Sequence, residues 1–196
     1  MMLIGNKLFA VSSGYNILYS ELPLYSNPAD YNNKLREEYK IINGNASFYG
    51  NKIYILKNKT LILKKKFVIS NNKTFYTYIT PNITGDCGIV FSFNNSNINT
   101  IKNYYILLIK DNGLITFGKN INGTYIELSE YDDIQKDFNK NNNYKISIQF
   151  NFILGEIKTR INDNIQFINR DKSFKGKGIG LISYKSGAVF TQVLLE

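Results

Sequence analysis

From Tyr144 to Phe150 the chain alternates without a break, with Tyr144, Ile146, Ile148 and Phe150 on one side and Lys145, Ser147 and Gln149 on the other. A period of two marks a strand with one buried face. Residues 156–161 repeat the pattern, Ile157, Thr159 and Ile161 opposing Glu156, Lys158 and Arg160. The run Tyr104–Ile109 is apolar at every position, which predicts a central strand with one face in the core and the other covered or used. Asn112-Gly113 separates it from Leu114–Phe117, a hairpin signal because Asn-Gly accepts positive φ. Asn122-Gly123 before Thr124–Leu128 predicts a second hairpin, and Asn162-Asp163-Asn164 before Ile165–Phe167 a third. Further strands are expected over 45–49, 52–56, 61–70, 73–80, 87–93, 178–183 and 187–195. Strands at this spacing, joined by tight turns, make an all-β chain of antiparallel sheets, a sandwich or a barrel.

Less of the chain reads otherwise. Residues 28–38 predict a short helix with Asp30 as its N-cap. Asp132–Asn143 is polar and asparagine-rich, a surface loop with room for one helical turn. No repeat or linker divides the chain. The expected organisation is an N-terminal extension over 1–38, holding a first strand and a short helix, followed by one β domain over 39–196. The extension carries Tyr15, Tyr19, Tyr25 and Tyr31, aromatics suited to docking on a partner. Met1–Ile4 is followed by Gly5, Asn6 and Lys7 before the next apolar residues, so the opening makes a poor signal peptide. No apolar run reaches the length of a membrane-spanning helix.

Composition narrows the chemistry. With 43% hydrophobic and 14% aromatic residues in 196, the chain can bury a real core. It has no histidine, no tryptophan and one cysteine, which excludes Ser-His-Asp and Cys-His catalysis and any intrachain disulfide. Cys87, in Gly85-Asp86-Cys87-Gly88 before Ile89-Val90-Phe91, reads as a small hydrophobe in a strand. The net charge is +9, and only Arg36, Arg160 and Arg170 among the basic residues are arginines. A reader of base edges would use more of them, so specific nucleic-acid recognition is disfavoured. Lysine, asparagine, isoleucine, tyrosine and phenylalanine, all with AT-rich codons, dominate together, so codon bias supplies part of the basicity. Its distribution is nevertheless uneven. Eight lysines and no acid lie between Glu38 and Asp86, Lys64, Lys65 and Lys66 among them, and Lys172, Lys175 and Lys177 form a second basic stretch. Such stretches are solvated faces or a surface for an anionic polymer.

An ordered series of short motifs runs through the second half. It comprises Gly88-Ile89-Val90-Phe91, Asn103-Tyr104-Tyr105-Ile106-Leu107-Leu108, Asn143-Tyr144-Lys145-Ile146-Ser147-Ile148, Ile161-Asn162-Asp163-Asn164, Gly178-Ile179-Gly180-Leu181-Ile182-Ser183 and Gly187-Ala188-Val189-Phe190. In this order they resemble the concanavalin A-like lectin/glucanase (laminin-G-like) superfamily, nearest to fructan-binding carbohydrate modules and to domains of the keto-disaccharide-hydrolase type, over about residues 39–196. Three positions depart from the pattern. Ser92 stands where an arginine is frequent, Asn164 where the turn glycine falls, and Tyr144 where a tryptophan is common.

The resemblance implies a two-sheet, jelly-roll sandwich and a non-catalytic binding module, carbohydrate-binding or adhesive, at an extracellular or cell surface or on a virion. Sugar recognition needs flat aromatics and polar groups for hydroxyls, and Tyr76, Tyr78, Tyr105 and Tyr125 with Ser92 and Lys119 are the candidates. The glucanases of the superfamily carry Glu-x-Asp-x-Glu. The nearest segment here, Glu130-Tyr131-Asp132-Asp133-Ile134, lacks the closing acid, so no catalytic residue is assigned. No cofactor is expected. Calcium would fall to Asp86, Asp111 and Asp163, which have no diagnostic spacing. The alternative reading is a structural or assembly protein, a virion, phage or surface-coat component, making protein–protein contacts. An aromatic cleft over the middle strands would favour the first reading, and a packed, ligand-free concave face with an extended N-terminal arm the second.

Overall fold

The computed structural model describes strands 2–4, 7–10 and 18–21 and residues 34–55, 60–81, 85–94, 101–132, 134, 136–184 and 187–196. The proposed N-cap Asp30 and the aromatics Tyr15, Tyr25 and Tyr31 lie outside these residues. Strands β1 (Met2–Ile4), β2 (Lys7–Ala10) and β3 (Leu18–Glu21) form an antiparallel meander. The sequence reading assigned one strand to this extension. The short helix α1 follows at 34–38, and its Leu35 is buried in the core.

The remaining strands are β4 (Tyr39–Asn43), β5 (Ala46–Tyr49), β6 (Lys52–Ile55), β7 (Thr60–Lys64), β8 (Thr74–Thr80), β9 (Cys87–Phe93), β10 (Tyr104–Ile109), β11 (Ile115–Ile121), β12 (Thr124–Tyr131), β13 (Tyr144–Asn151), β14 (Glu156–Ile161), β15 (Ile165–Arg170), β16 (Gly178–Ser183), β17 (Ala188–Thr191) and β18 (Leu194–Leu195). They make two antiparallel sheets. The first has the order β12-β11-β10-β9-β16-β7-β4, and the second the order β15-β14-β13-β8-β17-β6-β5 with β18 on β8. This is the expected two-sheet jelly-roll sandwich. Period-two burial sets the layers: Tyr144, Ile146, Ile148 and Phe150 of β13 and Phe75 and Ile79 of β8 point inward to meet Ile89, Phe91, Tyr105, Leu107 and Phe117 of the first sheet.

The turns carry the chemistry their residues allow. Asn122 (φ 53) and Gly123 (φ 95) are both left-handed, the two-residue hairpin geometry that matches strand twist. At the β14–β15 turn the left-handed residues are Asn162 (φ 50) and Asp163 (φ 64), not Asn164, so the expected replacement of glycine by Asn164 is not used. The strand expected over 61–70 ends at Lys64, because 65–66 turn. The one expected over 187–195 breaks at Gln192 and Val193 into β17 and β18.

Two polar clasps close the sandwich. At one, Tyr39 Oη accepts from the Val193 amide at 2.8 Å, and Lys64 Nζ donates to the Val193 carbonyl at 2.7 Å and pairs with Glu38 at 3.3 Å. Burial pushes the Tyr39 hydroxyl well above its ordinary range and pulls Lys64 down, against the pull of Glu38. At the other clasp, Asp171 takes hydrogen bonds from Tyr105 Oη (2.6 Å), Lys119 Nζ (2.7 Å) and the Ser173 amide (2.7 Å). Tyr105 Oη in turn accepts from the Phe174 amide at 3.1 Å. This pins the 171–177 loop over the core, where Phe174 packs 5.0 Å from the Tyr105 ring.

Burial alone would raise the Asp171 carboxyl, but the hydrogen bonds from Lys119, Ser173 and Tyr105 outweigh it and hold it well below the usual carboxylate range. Asp171→Asn keeps the shape and removes the charge. We expect it to lose about 2 kcal/mol of stability at neutral pH, read from urea denaturation. A lowered folded pKa contributes fully above the ordinary carboxylate range and is lost as pH falls through the folded value. The gap between the two proteins should therefore narrow in strong acid, and an equal gap at both pH values would contradict this role.

Candidate functional site

The outer face of the first sheet decides where a ligand can go. Residues that alternate with the core set of β7, β9, β10 and β16 point outward, and they are apolar too: Leu61, Leu63, Val90, Phe93, Tyr104, Ile106, Leu108 and Ile182, none more than 6% exposed. Ile42, Ile101 and Tyr184 pack against them. Over the middle strands this face is a second buried cluster with no open floor.

Beside the cluster, over β10–β12, lies a groove of about 670 Å³, within the range of small-molecule sites. It is lined by Lys110, Asn112 and Leu114 of one hairpin, by Asp86 and Tyr184, and by Asn120 and Gly123 near the β11–β12 turn. Tyr125 comes from the edge strand β12, opposite Asn120 of β11. The bulge between Phe117 and Gly118 sets which residues of β12 face outward. Gly118 gives the ring its seat: a Cβ there would lie 2.6 Å from Tyr125 Cε2. Tyr125 is 37% exposed, and its hydroxyl is raised chiefly by burial.

The polar groups of the groove are arranged around that ring. Asp86 and Lys110 form an ion pair at 3.3 Å. The hydroxyls of Tyr184 and Tyr104 are hydrogen-bonded to each other, and burial raises both. Asn120 accepts from the Gly123 amide at 2.9 Å and fixes the β11–β12 turn. Asn112 does the same for the Leu114 amide at 3.0 Å. The groove thus offers one aromatic face, a phenol, an ammonium and a carboxylate, donors and acceptors side by side.

The structure scatters the sequence candidates. Of the sugar-binding candidates only Tyr125 lines this groove, and of the calcium candidates Asp86 and Asp111 do. Tyr105 is 0% exposed in the core between Phe91, Phe117 and Phe150, and Lys119 is tied to Asp171 and Ser173; neither offers a free surface. Ser92 is the extra residue of a bulge in β9, left-handed at φ 63 and buried. Tyr76 and Tyr78 are half-buried on the outer face of the second sheet, their rings at 6.1 Å, with Lys145 Nζ 5.1 Å from the Tyr76 ring. Of the basic candidates, Lys64 is held in its clasp, whereas Lys65, Lys66, Lys172, Lys175 and Lys177 are exposed. Asp86, Lys110, Asn120 and Tyr184 were missed as a group. Nothing local in the sequence marks them, since they meet only through pairing of β9, β10, β11 and β16.

Glu130 and Tyr131 belong to β12 and not to a loop, and Asp133 lies outside the described residues. Asp163 pairs with Lys145 at 3.0 Å on the other sheet, so it is far in topology from Asp86 and Asp111. Among the described residues no three acidic or cysteine side chains converge on a metal-sized site.

No family model matches the chain, and no curated protein sequence matches it. Solved structures do. Carbohydrate binding module CBM66 from Bacillus subtilis has a TM-score of 0.68 at 19% identity, over 81% of this chain and 95% of that one. A legume lectin-like domain from Entamoeba histolytica has 0.55 at 14%, over 84% and 92%. A Bacillus licheniformis beta-glucanase has 0.57 at 8%, over 80% and 90%. At these identities the likeness is one of fold: the chain has the concanavalin A-like lectin/glucanase fold, as its motifs implied.

Cys87 borders the groove in sequence but faces the core and is 1% exposed. Burial, with Asp86 adding to it, pushes its thiol up to about 12. A thiol-specific reagent at mildly alkaline pH should therefore label the native protein at least about a thousandfold more slowly than the urea-unfolded chain. Comparable rates would show the strand β9 open.

Proposed function

We propose that this chain is a non-catalytic carbohydrate-binding module that takes a glycan in the groove over β10–β12. The observation that carries the reading is Tyr125. Its ring is seated on Gly118 and left exposed, next to an ion pair and a phenol at the spacing of one groove. A sugar presents C–H faces that lie on an aromatic ring and hydroxyls that both donate and accept, which the Asp86–Lys110 pair and Tyr184 can answer. The carbohydrate-binding module and the lectin-like domain that share the fold support the same class of ligand.

A glucanase also shares the fold, so catalysis is judged on the residues. Glycoside hydrolysis uses two carboxyl groups flanking the bond, one of them kept protonated by its surroundings. In the groove Asp86 is already ion-paired with Lys110 and Asp111 is exposed in the hairpin turn, so the reading does not rest on a carboxylate pair there. One observation favours a second reading, an assembly subunit: the packed apolar outer face over β7, β9 and β16.

A glycan array at low and moderate salt separates the readings. Binding to a neutral glycan should survive moderate salt. Tyr125→Ala should weaken it about tenfold or more, the equivalent of about 1.4 kcal/mol, while Tyr78→Ala on the other sheet leaves it unchanged. Absence of binding to any glycan, together with a stable oligomer by light scattering, would replace the first reading with the second.

A further inference from the structure

At the end of the sandwich away from the 110–114 hairpin, three loops form one surface. The 65–73 segment is tied to the 171–177 loop by the Ile69 amide donating to the Lys177 carbonyl at 2.9 Å. It is tied to the β13–β14 hairpin by the Asn72 amide on the Phe150 carbonyl (3.0 Å) and the Phe152 amide on Asn71 Oδ1 (2.8 Å). The Asp171 amide closes the ring on the Gly155 carbonyl at 2.9 Å, and the Lys172 stem lies against Gly155.

The hairpin tip is built to stand out. Asn151 Oδ1 accepts from the amides of Ile153 (3.0 Å) and Leu154 (2.9 Å), and Gly155 turns at φ 68. Phe152 anchors the turn 4.5 Å from Phe150. The backbone is satisfied within the turn, and the two aliphatic side chains are left in water, Ile153 75% and Leu154 56% exposed, with Val68 of the neighbouring loop at 50%. Burying such side chains is favourable, a gain that this fold leaves unused.

The three loops carry Lys66, Lys73, Lys172, Lys175 and Lys177, all exposed and none ion-paired among the described residues, while Lys65 of the same segment lines a separate groove with Arg36 and Glu37. The one acid in the three loops, Asp171, is already occupied by Lys119 and Tyr105. We propose that this end docks on a membrane surface rich in anionic lipid, with Ile153 and Leu154 entering below the headgroups and the lysines resting on the lipid charge. Lysines close to an anionic leaflet are drawn to its surface charge. A soluble polyanion would satisfy the lysines and leave the aliphatic tip in water; a bilayer satisfies both. Among the described residues no helix is long and apolar enough to cross a membrane.

The test is co-sedimentation of the full chain with phosphatidylcholine vesicles, with and without phosphatidylserine. Binding should require phosphatidylserine, and should fall at least tenfold for the Ile153→Asp, Leu154→Asp double variant and for Lys172→Glu with Lys175→Glu, with unchanged melting temperatures. Tyr125→Ala should bind vesicles normally. The chain has no tryptophan, so Leu154→Trp gives a single tryptophan, excited selectively over the tyrosines, whose emission should shift to the blue on phosphatidylserine vesicles and be quenched by lipid-borne quenchers. No vesicle binding would overturn the proposal. Binding unaffected by the tip substitution, with equal affinity for heparin, would assign the lysines to a soluble polyanion instead.

Discussion

Strand β10 is buried at all six of its positions, and the rest of the site follows from that constraint. Its inward residues Tyr105, Leu107 and Ile109 join the core between the sheets, and its outward residues Tyr104, Ile106 and Leu108 join a second apolar cluster. A sheet that is apolar on both faces must be covered on both, so its middle cannot serve as a wet binding floor. Polar recognition is displaced to the margin. There β11 turns outward Thr116, Gly118 and Asn120 in place of large aliphatics. The glycine in that series makes the space that the Tyr125 ring fills.

The same logic explains which parts of the molecule could be read from the sequence. Alternation in β13 and β14, the unbroken apolar run of β10 and the Asn-Gly turns are local signals, and each became the element it predicted. What failed was the assignment of faces. Tyr104 and Tyr105 are neighbours with identical side chains, and only pairing with β9 and β11 decides that Tyr105 belongs to the core. Lys119 reads as a free polar neighbour until Asp171, 52 residues on, is brought to it. Lys64 ends a strand whose fold-back places Glu38 and the Val193 carbonyl around its ammonium. Ser92 is removed from the surface by a bulge that no local pattern announces.

Distance along the chain also hid what the fold assembles. Lys66 and Lys73 are about a hundred residues from Lys172, Lys175 and Lys177, yet hydrogen bonds at one end of the sandwich bring the loops that carry them together beside an aliphatic tip. The molecule thus has two regions with different chemistry. One is an aromatic and hydrogen-bonding groove on the outer face over β10–β12, suited to a neutral, hydroxyl-rich ligand, and the other is a basic, partly apolar tip suited to an anionic interface.

The central claim, that recognition occurs at the margin of the first sheet and not on either sheet's middle, is tested most directly by amide chemical-shift mapping. The isotope-labelled protein would be titrated with the oligosaccharide it binds best. The account predicts shifts centred on Asp86, Lys110, Asn120, Tyr125 and Tyr184, with Val90 and Ile106 still. Shifts centred on Tyr76 and Tyr78, or on the outward residues of β9 and β16, would contradict it.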